Sequence, residues 1–313
     1  MSKLVVVDPG KYAVKAICGE KEFYVRSLVD SMDKVSNDKG YMVKVFNKQY
    51  VIGDESIPFD YDYDKHKTET KILVNLAVHH LTDSKDEVFL VVGMPIEHWL
   101  DRDRRAKYQN FLKSTMPMSL ITNKGEVSMN QRIVNVIAVP ETIGHVALDS
   151  KYKDKTVGIL DCGGANFQGA IYAKGLPIRE SCFTLNEGGN FYLNSVKRAI
   201  NIKFGLNYQD YQIQDLIKHG SKSDRRLEIE SEIIAITRDH FMKVIRESKA
   251  RNWNIGDMDI VVTGGGINYF KSIISEFLPN ATFSDNGIWD NVKGFEVIGG
   301  AAYGKANKNS YNI

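Results

Sequence analysis

The chain opens as a run of short alternating segments. KLVVVDPG, YAVKAICG and KEFYVRSLV each pair an apolar core with glycine, aspartate or charged ends. Residues 3–30 are therefore predicted as a β-meander. Residues 31–66 are polar, with one predicted hairpin in YMVKVFNKQYVIGD, and read as a small insertion outside the core. A helix over about 67–81 leads to the apolar strand EVFLVVGMP, closed by Gly93 and Pro95. IEHWLDRDRRAKYQNFLKS mixes charges with Trp99, Tyr108, Phe111 and Leu112, and its Arg102, Arg104 and Arg105 read as a solvated helix or loop face. QRIVNVIAVPETIGHVALDS is a strand running through Pro140 into Glu141 and a helix.

The second half repeats the style of the first. KTVGILDCGGANFQGAIYA predicts two strands, and GLPIRESCFTLNEGGNFYLNSVKRAINIKFG a strand, a glycine turn and a helix. A long helix starts near Ser223 or Asp224, both good N-caps. Ile229, Ile233, Ile236, His240 and Val244 form its apolar stripe, widened by Ile234, Phe241 and Ile245. MDIVVTGGGINYF is a strand, three glycines and a helix; GIWDNVKGFEVIGGAAYGKANKNS predicts a loop, a glycine-bearing helix and a frayed tail. Strand meanders alternating with helices, twice over, predict an α/β chain with two mixed sheets.

One arrangement recurs half a chain apart. Leu4–Val7 end in Asp8, followed by Gly10 and the strand AVKAIC; Val157–Leu160 end in Asp161, followed by Gly163, Gly164 and the strand GAIYA. One copy is an ordinary turn. Two copies predict related domains, each presenting a glycine-rich turn to one ligand. Backbone N–H groups of such turns cradle phosphates. A carboxylate at each strand end suits a magnesium ion held through water.

Composition narrows the classes. Hydrophobic residues make up 43% and charged residues 26%, as in an ordinary soluble globular chain. A net charge of +2 argues against a direct nucleic-acid binder. No apolar run approaches the roughly 20 residues of a membrane span, and the chain enters a strand almost at once, so neither a signal peptide nor a membrane anchor is expected. Cys18, Cys162 and Cys182 have no CxxC spacing, which argues against zinc and against a disulfide framework and suits a reduced cytoplasm. Cys162 reads as a small space-filling residue under its turn. His79 and His80 are neighbours at a helix end, where they do not share a face.

Five features stand in order: strand-Asp8-Pro9-Gly10, strand-Pro140-Glu141-helix, strand-Asp161-Cys162-Gly163-Gly164, strand-Thr263-Gly264-Gly265-Gly266-helix, and a closing helix with Gly299 and Gly300. The set resembles the two phosphate loops, two connecting segments and adenosine loop of the actin, Hsp70 and sugar-kinase superfamily. VVGMP, VPETIGHVAL and DNVKGFEVIGG resemble segments of the ParM-like plasmid-segregation actins.

The resemblance implies an actin-like fold with two related RNase H-like domains flanking a nucleotide cleft. The first would span residues 1–150, with the insertion at about 31–66, and would be completed by about 291–313; the second would span 151–290. It further implies that Asp8, Gly10, Lys11, Lys15, Gly163, Gly164, Ala165, Asn166, Gly264, Gly265 and Gly266 bind ATP or GTP, with Lys15 reaching the β-phosphate. Asp8 and Asp161 would surround Mg2+ through water, with Asp161 also counted as catalytic. Glu141 would orient or deprotonate the attacking water; in isolation it would be a helix-start glutamate favoured by the macrodipole. Lys11 and Tyr12 depart from the small hydroxyl residue that many actins carry in the first loop, which leaves the γ-phosphate contacts and the choice of ATP or GTP open.

The function implied is a filament-forming nucleotide-hydrolysing ATPase that segregates plasmid DNA in the cytoplasm. It would do so through a DNA-bound adaptor of ParR type, with no direct nucleic-acid binding and no membrane. A small-molecule kinase of the same fold is the alternative, although no added acidic motif for its acceptor hydroxyl stands between the halves. A non-polymerising nucleotide switch or chaperone ATPase shares the fold too, and fold alone does not choose among them.

Overall fold

The computed structural model describes residues 2–31, 40–54, 57, 62–152 and 154–310, with backbone only over 305–310. The described residues form three sheets, two of them built on one plan. In the first sheet, the strand Lys3–Pro9 is antiparallel to Ala13–Cys18, which is antiparallel to Lys21–Arg26. On its other side it is parallel to Glu87–Met94, and that strand is parallel to Arg132–Pro140. In the second sheet, Thr156–Cys162 is antiparallel to Phe167–Ala173 and parallel to Ile260–Thr263, with Thr282–Phe283 parallel beyond. Leu176–Pro177 and Phe183–Leu185 pair with Phe167–Ala173.

Both central strands are buried on two faces, which is why they read as apolar runs and not as alternation. Val5 and Val7 join the cluster under the helix Thr68–Leu81, whereas Val6 packs with Val292 and Phe295 of the helix Asp290–Ser310. In the second sheet Leu160 and Cys162 face the helices Gly189–Phe204, Arg226–Ala250 and Ile267–Phe277. Val157 and Ile159 face the other way, onto Ile96, Val146 and Tyr152. Strand alternation then fixes the two aspartates. Asp8 continues the face of Val6, and Asp161 that of Ile159, so both carboxylates lie on faces turned toward the other half of the chain.

The third sheet departs from expectation. The hairpin Tyr41–Val45/Lys48–Ile52 forms, but it is joined by Val29–Ser31, Met118–Thr122 and Gly125–Ser128 into five antiparallel strands. Its Val43, Val45 and Ile52 are buried in the same cluster as Leu76 and Leu90. The segment is thus built into the core and not laid on it. Residues 32–39, 55–56 and 58–61 of the expected insertion lie outside the described residues, as does the end of the expected frayed tail, 311–313.

Two other elements differ locally. Glu141–Ile143 is a single 3-10 turn, followed by the five-residue helix Gly144–Leu148. The long helix is Arg226–Ala250, preceded by a turn in which Ser223 Oγ accepts from the Arg225 N–H at 3.1 Å. Of the three arginines expected on a solvated face, Arg105 stacks on Trp99, 4.7 Å from the ring centre, and donates to its carbonyl. The short helix Gly144–Leu148 crosses Asp290–Ser310 backbone on backbone. A Cβ on Gly294 would lie 2.1 Å from the Gly144 carbonyl oxygen, so neither position has room for a side chain.

Candidate nucleotide cleft

A cavity of about 340 Å³ lies between the first two sheets. Every residue that the sequence nominated for the site lines it: Asp8, Gly10, Lys11, Lys15, Glu141, Asp161, Gly163–Asn166 and Gly264–Gly266. The two glycine turns meet across it, where a Cβ on Gly164 would lie 2.6 Å from Tyr12 Cβ. The second turn is held in shape by its own framework. The N–H groups of Gly188, Gly189 and Asn190 donate to the carbonyls of Ala165, Gly163 and Gly164 at 3.1, 3.0 and 2.8 Å. In the first turn, Ser27 Oγ donates to the Gly10 carbonyl and the Ser27 N–H to the Tyr12 carbonyl.

The third glycine loop is the tightest. Gly264 has φ +94°, and a Cβ there would lie 2.4 Å from Asp161 Oδ1 and 2.5 Å from the Cys162 carbonyl oxygen. Only glycine meets both demands. Gly266 N–H donates to that same Cys162 carbonyl at 2.8 Å, which ties the loop to the end of the Asp161 strand. Asn268, Tyr269, Gly287 and Ile288 continue the wall beyond it.

The charges are arranged by the sheet registers. Asp8 stands opposite Lys15 in its hairpin, and Asp161 stands opposite Gln168 in the other. The same offset therefore produces one ion pair and one neutral partner. Lys15 Nζ donates to Asp8 Oδ2 at 2.8 Å. Burial opposes the Lys15 charge, but Asp8 and then Asp161 outweigh it and hold the amine above its ordinary value. Asp161 is pushed up to about 6, chiefly by burial; Asp8 and Asp290 add to the rise, while Asn291 and Lys15 oppose it. Asn291 Nδ2 donates to Asp161 Oδ2 at 2.9 Å.

Glu141 is buried and doubly held. Its Oε1 accepts from Lys65 Nζ and its Oε2 from Gln168 Nε2. Gln168 is itself fixed, because its Oε1 accepts from the Ile96 N–H at 2.7 Å. Lys65 is pushed down to about 7, mainly by burial; Lys11 and Lys15 act in the same direction and Asp8 and Asp161 against it.

Sequence reasoning missed Lys65, Gln168, Asn190 and Asn291, all of which line the cavity. Gln168 had a signal, since it follows Asp161 by the interval at which Lys15 follows Asp8. Lys65 had none, being a polar residue in a polar stretch.

These residues fit a magnesium-bound nucleotide. Among the described residues, no group of three or more His, Cys, Asp or Glu side chains could hold an ion by itself. An ion beside Asp8 and Asp161 would then take its other ligands from water and phosphate, the usual habit of magnesium. Asn190 Nδ2 and Asn291 Oδ1 are buried at the cavity without a protein partner, one a donor and one an acceptor. Buried polar atoms of this kind are rare unless something else satisfies them.

Residues 7–144 match the family model for the N-terminal domain of actin-like proteins. No curated protein matches the sequence. Solved structures match over almost the whole chain. A non-polymerisable quadruple mutant of pCBH ParM is 16% identical, with TM-score 0.75, over 96% of this chain and 100% of that one. A 15-stranded ParM filament from Clostridium botulinum is 18% identical, with TM-score 0.74, over 96% and 99%. Ta0583, an archaeal actin homolog solved with ADP, is 14% identical, with TM-score 0.73, over 94% and 98%. Among the described residues, no helix is long and apolar enough to cross a membrane.

Proposed function

We propose that this chain, which has the fold of the ParM structures and matches the actin-like N-terminal domain model over residues 7–144, is an actin-like protein that binds magnesium and ATP or GTP in the central cleft, hydrolyses the nucleotide and assembles into filaments. The observation that carries this reading is the convergence of three glycine loops, two carboxylates and a lysine from both halves on one cavity. Two of the matched structures, a ParM filament and an Alp12 filament, support assembly. A head-to-tail contact that does not close extends as a filament. Segregation of plasmid DNA through a DNA-bound adaptor of ParR type, in the cytoplasm, is the role we assign to those filaments. A small-molecule kinase is not favoured, because structures that match over nearly the whole chain include ParM, Alp12 and an archaeal actin homolog.

Gly10, Gly163–Asn166 and Lys15 bind the phosphates, and Gly264–Gly266 let the backbone approach the nucleoside. Asp8 and Asp161 hold magnesium through its water shell. Bound there, the ion neutralises charge on the phosphates. Glu141 takes the proton of the attacking water as general base, and Gln168 fixes the orientation of its carboxylate. Light scattering, sedimentation and electron microscopy with magnesium and each triphosphate test assembly, and phosphate release tests hydrolysis. A chain that stays monomeric with every nucleotide while phosphorylating a small molecule would overturn the reading in favour of a kinase.

A further inference from the structure

A buried ion pair is an expensive way to fill space, because desolvation of two charges commonly exceeds their attraction. The Lys65–Glu141 pair is such a case, with side chains 4% and 7% exposed. Its two ends are held very differently. Glu141 Oε2 is tied through Gln168 to the Ile96 backbone. Glu141 Oε1 is held by a lysine on a flexible four-carbon stem, in the extended chain just before the helix Thr68–Leu81. Lys15, in the same cavity, is engaged with Asp8. An ammonium carries three N–H donors, so the contact with Glu141 leaves Lys65 capacity for a second anion in the cavity that it lines.

We propose that Lys65 is a further catalytic residue, a sensor of the terminal phosphate, an inference that rests on the nucleotide-hydrolysing function proposed above. With the cleft empty or holding a diphosphate, Lys65 stays on Glu141 and occupies its Oε1. A triphosphate places a stronger anion in the cavity and draws the amine to its terminal group. Glu141 Oε1 is then free to take the water proton only when the phosphate to be attacked is present. Lys65 exchanges no proton in this step. The water oxygen bonds to phosphorus, its proton goes to Glu141, and the nucleoside diphosphate leaves with the electron pair of the broken P–O bond.

The test is a double-mutant cycle on the full chain, read as triphosphate and diphosphate affinity by calorimetry with magnesium present. Non-hydrolysable triphosphate is used for the parent. Glu141→Gln removes the competing carboxylate, so the preference for triphosphate over diphosphate should rise by about tenfold or more, the worth of a charge-assisted hydrogen bond. The pair Glu141→Gln with Lys65→Met removes both charges of the buried pair, so neither is stranded, and should abolish that gain. Glu141→Gln with Lys65→Arg should restore part of it. Thermal melts confirm that each variant is folded. A triphosphate preference identical in Glu141→Gln with and without Lys65→Met would overturn the sensor. A parent that binds no nucleotide overturns the proposed function itself, and shows it before any variant is made.

Discussion

Replacing Glu141 separates chemistry from stability, and the structure sets both magnitudes. The site is a 3-10 turn of three residues, so the cost of about 0.3–1 kcal/mol for a helix-start glutamate is not the relevant scale. Glu141→Ala strands the buried Lys65 amine and the Gln168 amide together. Breaking one partner out of a buried pair costs about 3–5 kcal/mol. Glu141→Gln is gentler: its carbonyl still accepts from Lys65, but its NH2 then faces the NH2 of Gln168. Gln168 cannot turn without losing the Ile96 N–H. That one unsatisfied donor costs about 1–3 kcal/mol, a melting shift of several degrees for a chain of this size. Loss of a positioned base lowers hydrolysis by roughly 10²–10⁴-fold. We expect Glu141→Gln to melt several degrees lower, to bind nucleotide and assemble, and to release phosphate at least a hundredfold more slowly, so that its filaments persist. Calorimetric melting, single-turnover phosphate release and filament lifetime on one preparation decide the matter. A folded Glu141→Gln protein releasing phosphate at the parent rate would remove Glu141 from the mechanism.

Three further outcomes follow from the site. The folded-state value of Asp161, about 6, lies above the ordinary 3.8, so the nucleotide-free protein gains a stabilising proton as pH falls through 6 and loses it as pH rises. Asp161→Asn should therefore stabilise the empty protein above pH 6 by up to about 3 kcal/mol, seen as a higher melting temperature, while weakening magnesium-nucleotide binding; unchanged affinity by calorimetry would refute its role in the site. Gly264→Ala should destabilise by at least about 1–3 kcal/mol through its φ of +94° and its contact with Asp161, and should reduce nucleotide affinity; a parent-like melt and titration would contradict the close approach. Magnesium with a triphosphate at about a hundred times its dissociation constant should stabilise the chain by about 2.7 kcal/mol, and chelation of the metal should reverse most of that in a thermal melt.

Much of the cleft was legible because it is built on strand ends. An apolar run that stops at an aspartate and a glycine reports a buried strand, a carboxylate on a known face and a turn, and Asp8 and Asp161 do so in both halves. The three-glycine loop was legible for a similar reason, since few residues tolerate the space beside Asp161. What did not show was chemistry created by distant pairing. Lys65 acquires its meaning from Glu141, 76 residues away, and no local pattern marks a lysine that will be buried. The strands Met118–Thr122 and Gly125–Ser128 were silent because one is half-buried and the other exposed throughout, so neither shows an apolar face. The hairpin at 41–52 was visible, but its place in the core depends on those silent strands.

The glycine-on-glycine crossing of the helices Gly144–Leu148 and Asp290–Ser310 has a mechanical consequence. Gly144 and Gly294 touch without side chains between them, so the contact is a fulcrum as narrow as a polypeptide allows. Displacement in a rotation grows with distance from its axis. Glu141 is three residues from this point, and Asn291, whose Cα a Cβ on Gly144 would approach to 2.5 Å, holds Asp161. Any turning of one half on the other about this crossing would swing the outer rims far apart while leaving those two carboxylates almost in register, with the chemistry at the pivot and the leverage at the periphery.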